Sequence, residues 1–118
     1  MSDTVSRRIP GTNRLETWDL EAIREAAGTI SIATRRVDHF PEVADPECWL
    51  HHIPNMMHPL VRPEWEEMWS DRSRDPLILH PSGWVMDGYH RLGKSILEGV
   101  LCVYVRVFTL ESLPNPLL

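Results

Sequence analysis

In the C-terminal half, apolar positions fall in short blocks separated by turn residues. Leu77-Ile78-Leu79 is one strand-length block, Pro81-Ser82-Gly83 a turn, and Trp84-Val85-Met86 a second block, together the pattern of a hairpin. Asp87-Gly88-Tyr89 is a tight connection. His90 to Glu98 reads as a helix stopped by Gly99, where a left-handed residue suits the end. Val100 to Phe108 alternates as a strand, with Leu101, Val103, Val105 and Val107 on one face and Cys102, Tyr104, Arg106 and Phe108 on the other.

The N-terminal half is patterned more weakly. Met1 to Thr12 is polar and reads as a flexible segment. Leu15, Trp18, Ala22, Ile23 and Ala26 recur near helical spacing, which predicts a helix over Arg14 to Ala27. Asn13 and Glu16 resemble its capping box and Gly28 its stop. Thr29 to Thr34 predicts a short strand with Ile30 and Ile32 on one face. Asp45-Pro46 suits a helix start, giving a short helix over Pro46 to His52, and Pro63 opens another to about Arg72. The order predicts an α+β fold, a compact domain with a small mixed sheet flanked by helices. Residues 1–12 form the flexible segment, 13–113 one domain and 114–118 a tail.

Composition narrows the class. The chain has 118 residues, 42% apolar and 25% charged, the mix of one ordinary globular domain. The net charge of −5 argues against a bulk electrostatic grip on nucleic acid or anionic membrane. Two Cys are too few for a disulfide scaffold. No apolar targeting segment opens the chain, and the longest apolar run, Val100 to Val105, is far too short to span a membrane. The expected location is cytoplasmic.

The chemistry concentrates in Asp87-Gly88-Tyr89-His90-Arg91, between a strand and a helix. The first helical turn offers unpaired N–H groups and the positive end of the dipole. Gly88 permits a sharp bend or close approach of a ligand. His90 and Arg91 add donors, Arg91 as a fork for phosphate oxygens, and Lys94 adds charge one turn on. Asp87 could orient a hydroxyl, accept its proton or help hold Mg²⁺. The structural alternative is an ordinary strand-to-helix turn with Asp87 as its cap and Arg91 paired on the surface.

The stretch from Pro76 through Asp87-Gly88-Tyr89-His90-Arg91 to Gly99, followed by the Val100 to Phe108 strand, resembles the core of the ParB/sulfiredoxin superfamily. The resemblance implies a nucleotide-binding fold in which Gly88, His90 and Arg91 contact phosphates. The cofactor would be ATP or another nucleotide, with Mg²⁺. It further implies an ATPase or phosphotransferase acting on a small-molecule acceptor, with Asp87 in phosphoryl transfer and a second acid from the N-terminal part, Glu16 or Glu21 by position. Two departures limit it. Sulfiredoxins carry a reactive Cys directly before the His-Arg pair, where this chain has Tyr89. Partition proteins carry a helix-turn-helix after the nucleotide domain, and only ten residues follow Phe108. Two other readings follow: a non-catalytic module switched by nucleotide, and a ParB-like DNA-associated protein or nuclease.

Other residue groups have simpler meanings. His51, His52 and His58 match no zinc spacing, so no metal site is assigned to them. Trp65 and Trp69 sit at helical spacing and read as core; Trp84 before the motif reads as core, with stacking on a nucleobase as its alternative. Cys102, on a strand, reads as a small core residue. Glu64, Glu66 and Glu67 read as a solvated helix turn, and Arg35-Arg36 and Arg72-Ser73-Arg74 as solvated pairs. Five Trp would also suit an interface between two copies.

Overall fold

The computed structural model describes residues 3–9, 11–48 and 75–117. The helix expected from Pro63, Trp65 and Trp69, the His51, His52 and His58 group, the Glu64 to Glu67 turn and Arg72 to Arg74 lie outside the described residues.

The elements in chain order are β1 (Thr4–Arg8), β2 (Leu15–Asp19), α1 (Leu20–Ala27), β3 (Ala33–Arg36), a 3₁₀ turn (Val37–His39), α2 (Pro41–Ala44), β4 (Leu77–Leu79), β5 (Val85–Asp87), α3 (Tyr89–Leu97) and β6 (Cys102–Val107). The fold is α+β. The described residues build a two-stranded β1–β2 hairpin and a four-stranded sheet in the order β3-β6-β4-β5. The larger sheet is mixed: β4 runs parallel to β6, and the other neighbours are antiparallel.

β4 is the centre of the molecule. Leu77, Ile78 and Leu79 are all buried, because the sheet is covered on both faces and no position of this strand meets solvent. Strand alternation sends Leu77, Leu79, Val85, Val103 and Val105 to one core with Phe40 and Leu92. Ile78, Trp84, Met86 and Phe108 go to a second core with Trp18, Ile23 and Ala27. Inward-facing Ile23 and Ala27 are four apart on α1, so a short helix suffices to cover that face.

The C-terminal half follows its pattern. The hairpin, its Gly83 turn (φ +99), the helix and the final strand lie where the apolar blocks predict. Gly99, with φ +72, follows the end of α3, and the N–H groups of Gly99 and Val100 return to the Ile96 and Ser95 carbonyls.

The N-terminal half departs from it. Leu15–Asp19 is a strand, not the first turns of a helix. Thr4–Arg8, expected to be flexible, pairs with it in register from Thr4↔Asp19 to Arg8↔Leu15. Trp18 faces inward in either conformation, so helical spacing could not exclude the strand, and pairing with β1 decides between them. The capping box of Asn13 and Glu16 is therefore absent, and Asp19 precedes the helix with extended backbone and no side-chain cap. Gly28 does end α1, but in right-handed conformation. The next strand starts at Ala33 rather than Thr29, set by its ladder with β6.

A short helix runs over Pro41–Ala44 with Pro41 at its start; of the helix expected over Pro46 to His52, Pro46 to Cys48 form a turn and a bend, and residues 49–52 lie outside the described residues. Asp45 instead makes a turn, its side chain accepting the Glu47 N–H at 2.9 Å. Leu101, just before β6, and Cys102, its first residue, are exposed, so Cys102 is not a core residue, while Phe108 closes the second core.

Candidate functional site

The motif sits where β5 ends and α3 begins, as its residue order predicts. Asp87 is the last residue of β5, and Gly88 is the N-cap of α3 with φ +104 and ψ 18. That left-handed conformation favours glycine. A second constraint is spatial. A Cβ on Gly88 would lie 2.7 Å from Arg91 Nη2, 2.9 Å from its Nε and 3.0 Å from Leu77 Cγ. Gly88 therefore lets the Arg91 guanidinium fold back against the start of its own helix, and it brings no side chain to cap that helix.

Arg91 is buried, with its side chain 8% exposed. Its Nη2 lies 3.5 Å from Asp87 Oδ2 and its Nη1 3.8 Å from Asp75 Oδ2. Asp87, 12% exposed, also receives Arg24 of α1: Nε donates to Oδ2 at 3.0 Å and Nη2 to Oδ1 at 3.4 Å. The hydrogen bond to Asp87 is the main reason the Arg24 guanidinium is held above its ordinary value. Asp87 thus joins two arginines, one from α1 and one from α3.

His90 is partly buried, and burial pushes its ring below the ordinary histidine value, so the neutral form dominates at pH 7. A neutral ring offers one N–H to an anion rather than a full charge. Lys94 stands one turn further along α3, 3.8 Å from Glu98. The structure joins Asp87, Gly88 and Arg91 in one cluster, and Lys94 makes its own pair further along the helix.

Tyr89 turns to the opposite side. Its Oη is 2.6 Å from Cys48 Sγ, and burial, followed by the hydrogen bond to Cys48, raises the phenol well above its ordinary value. In sequence neither Cys is near the motif; the fold brings Cys48 to it across 41 residues. Both groups border a cavity of about 720 Å³, whose walls also include Glu42, Asp45 and Met86. Glu42 Oε1 accepts the Val85 N–H at 2.6 Å, and its Oε2 is buried without a hydrogen-bond partner.

The N-terminal acids expected near Asp87 lie elsewhere. Glu16 is in β2 opposite Arg7, and Glu21 is exposed in the first turn of α1. What this region sends to Asp87 is a base, Arg24. Arg24, Asp75, Glu42 and Cys48 carried no sequence signal, since each meets the motif only through tertiary packing. Trp84 is core, as expected; His80 stacks on it at 5.1 Å and Arg7 lies over it at 5.0 Å. Among the described residues, no group of three or more His, Cys, Asp or Glu is placed to hold a metal ion, and no helix is long and apolar enough to cross a membrane.

The strand-to-helix junction thus combines a left-handed glycine at the helix start with a buried arginine held by a carboxylate. No protein-family model, curated protein or solved structure matches the chain.

Proposed function

We propose that the chain is a nucleotide-binding domain of the ParB/sulfiredoxin type, and that the nucleotide phosphates sit at the start of α3. Gly88, His90 and Arg91 hold them, and Lys94 adds charge. The observation that carries this reading is the space at Gly88. The place of a Cβ is taken by the Arg91 guanidinium, so backbone N–H groups and a charged fork converge at one helix start. A bound nucleotide, with its Mg²⁺, would supply the transferable phosphoryl group. The chain's own residues would bind and orient it, as an ATPase or small-molecule phosphotransferase requires.

A non-catalytic, nucleotide-switched module is the second reading, and one contact favours it. Both oxygens of Asp87 face the Arg24 guanidinium, which suits an anchor for arginines better than a base for a hydroxyl. Calorimetric titration with ATP, ADP and CTP, each with Mg²⁺, tests the site. Arg91→Ala is expected to weaken binding at least about tenfold, some 1.4 kcal/mol. Equal binding by the variant overturns the assignment. Binding without turnover selects the switched module.

A further inference from the structure

None of the proposed phosphate contacts lines the cavity beside Tyr89 and Cys48. Its volume of about 720 Å³ falls within the range of small-molecule sites, about 300–1,000 Å³. Three buried side-chain polar atoms lack a hydrogen-bond partner among the described residues, and two of them belong to residues of this wall, Glu42 Oε2 and Trp84 Nε1. Trp84 is itself only 7% exposed. A buried polar atom without a partner costs folding free energy, and a charged one costs most. Glu42 does not escape that cost by swinging into water, because its Oε1 accepts the Val85 N–H at 2.6 Å and ties the carboxylate to β5. The terminal torsion of a Glu side chain is soft, so a small rotation about that anchor offers Oε2 to the cavity.

The charge of the wall selects the ligand. Three acids line it, Glu42, Asp45 and Glu47, against one base, Arg7. Arg7 is already engaged: its guanidinium lies over the Trp84 ring at 5.0 Å and donates to Ser82 Oγ. Asp45 and Glu47 are exposed, and acids of one sign around a cleft raise the local concentration of cations. A bare metal ion does not suit this wall. Among the described residues no three His, Cys, Asp or Glu are placed to hold one, and a calcium or magnesium ion takes about six or more oxygens. An organic ammonium does suit it. Its N–H groups pair with one carboxylate, and its apolar body lies against Val5, Trp84 and Met86. A water or a ligand oxygen alongside would satisfy the Trp84 N–H.

We propose that this cavity binds a small organic cation, an ammonium on an apolar body, with its N–H groups on the Glu42 carboxylate. The site is separate from the phosphate contacts and does not depend on them.

The test is calorimetric titration of the full chain at pH 7 and fixed ionic strength with benzylamine, hexylamine and the neutral counterpart benzyl alcohol. Both amines are expected to bind saturably. Benzyl alcohol should bind at least about tenfold more weakly than benzylamine, the scale of one charge-assisted hydrogen bond. Glu42→Gln keeps the shape and an acceptor for the Val85 N–H but removes the charge, and should weaken benzylamine at least about tenfold. Glu111→Gln makes the same change of net charge at an exposed acid outside the cavity, and should shift binding by less than about 1.5-fold. Absence of saturable binding by both amines overturns the proposal. So does equal binding of benzylamine and benzyl alcohol by the wild type, a comparison that needs no variant to fold. A folded Glu42→Gln that binds like wild type overturns it as well, and so does an equal loss in Glu42→Gln and Glu111→Gln, which would mark general charge attraction.

Discussion

Gly88 shows how much one missing side chain can decide. Its φ of +104 costs a non-glycine residue about 1–2 kcal/mol. The 2.7 Å approach of Arg91 adds a clash that only movement of the guanidinium can relieve. Gly88→Ala is therefore expected to destabilise the fold by about 2 kcal/mol or more, measured by denaturant unfolding. If phosphates bind at the start of α3 as proposed, it should also weaken that binding beyond the loss of stability, because Arg91 must leave its place. A variant as stable as wild type would mean that the junction relaxes freely. The glycine was legible in sequence as a tight connection. Its pairing with Arg91 was not, because side-chain direction three residues on depends on what Asp87 and Leu77 leave open.

Among the elements, the contact between β1 and the β4–β5 turn has a pH dependence. His80 Nδ1 lies 2.8 Å from Ser82 Oγ and accepts the Ser82 N–H at 3.1 Å, while Arg7 donates to the same Oγ at 3.0 Å. Protonating Nδ1 would set a donor against a donor. Burial first, and then Arg7, push His80 below its ordinary value of 6.5. A histidine depressed in the folded state contributes stability above its unfolded pKa, and that stability is lost as pH falls through the folded value. The melting temperature is expected to fall as pH is lowered from about 7 to 5, and His80→Gln should flatten that dependence. An unchanged slope in the variant would show that His80 is not the group responsible. The turn itself was legible from Pro81-Ser82-Gly83. Its clamp to Arg7 was not, since 75 residues separate Arg7 from Ser82.

Across the whole molecule, the last residues close on the first hairpin. Trp18 Nε1 donates to Pro114 O at 2.9 Å, and the Leu117 N–H returns to Thr17 O at 2.6 Å. Read in sequence, residues 114–118 are only a Pro-marked tail. In the fold they satisfy a buried indole. A chain ending at Leu113 is expected to lose about 1–3 kcal/mol of stability, the cost of stranding a buried donor, measured by urea unfolding. Equal stability would place the Trp18 partner in water instead.

The sequence by itself determined the C-terminal half: two apolar blocks about a Gly turn, a glycine-stopped helix, an alternating strand and the position of the motif between β5 and α3. Those features rest on local rules, namely side-chain period, turn chemistry and helix stops, which need only near neighbours. The tertiary structure decided the rest. Leu15–Asp19 became a strand because β1 offered it a ladder. Asp87 became the joint of two arginines because α1 packs over the end of β5. Cys48 met Tyr89 because the segment after α2 folds back towards the motif. Each depends on residues brought together from at least seven positions away, and most from more than forty, where spacing along the chain carries no geometric information.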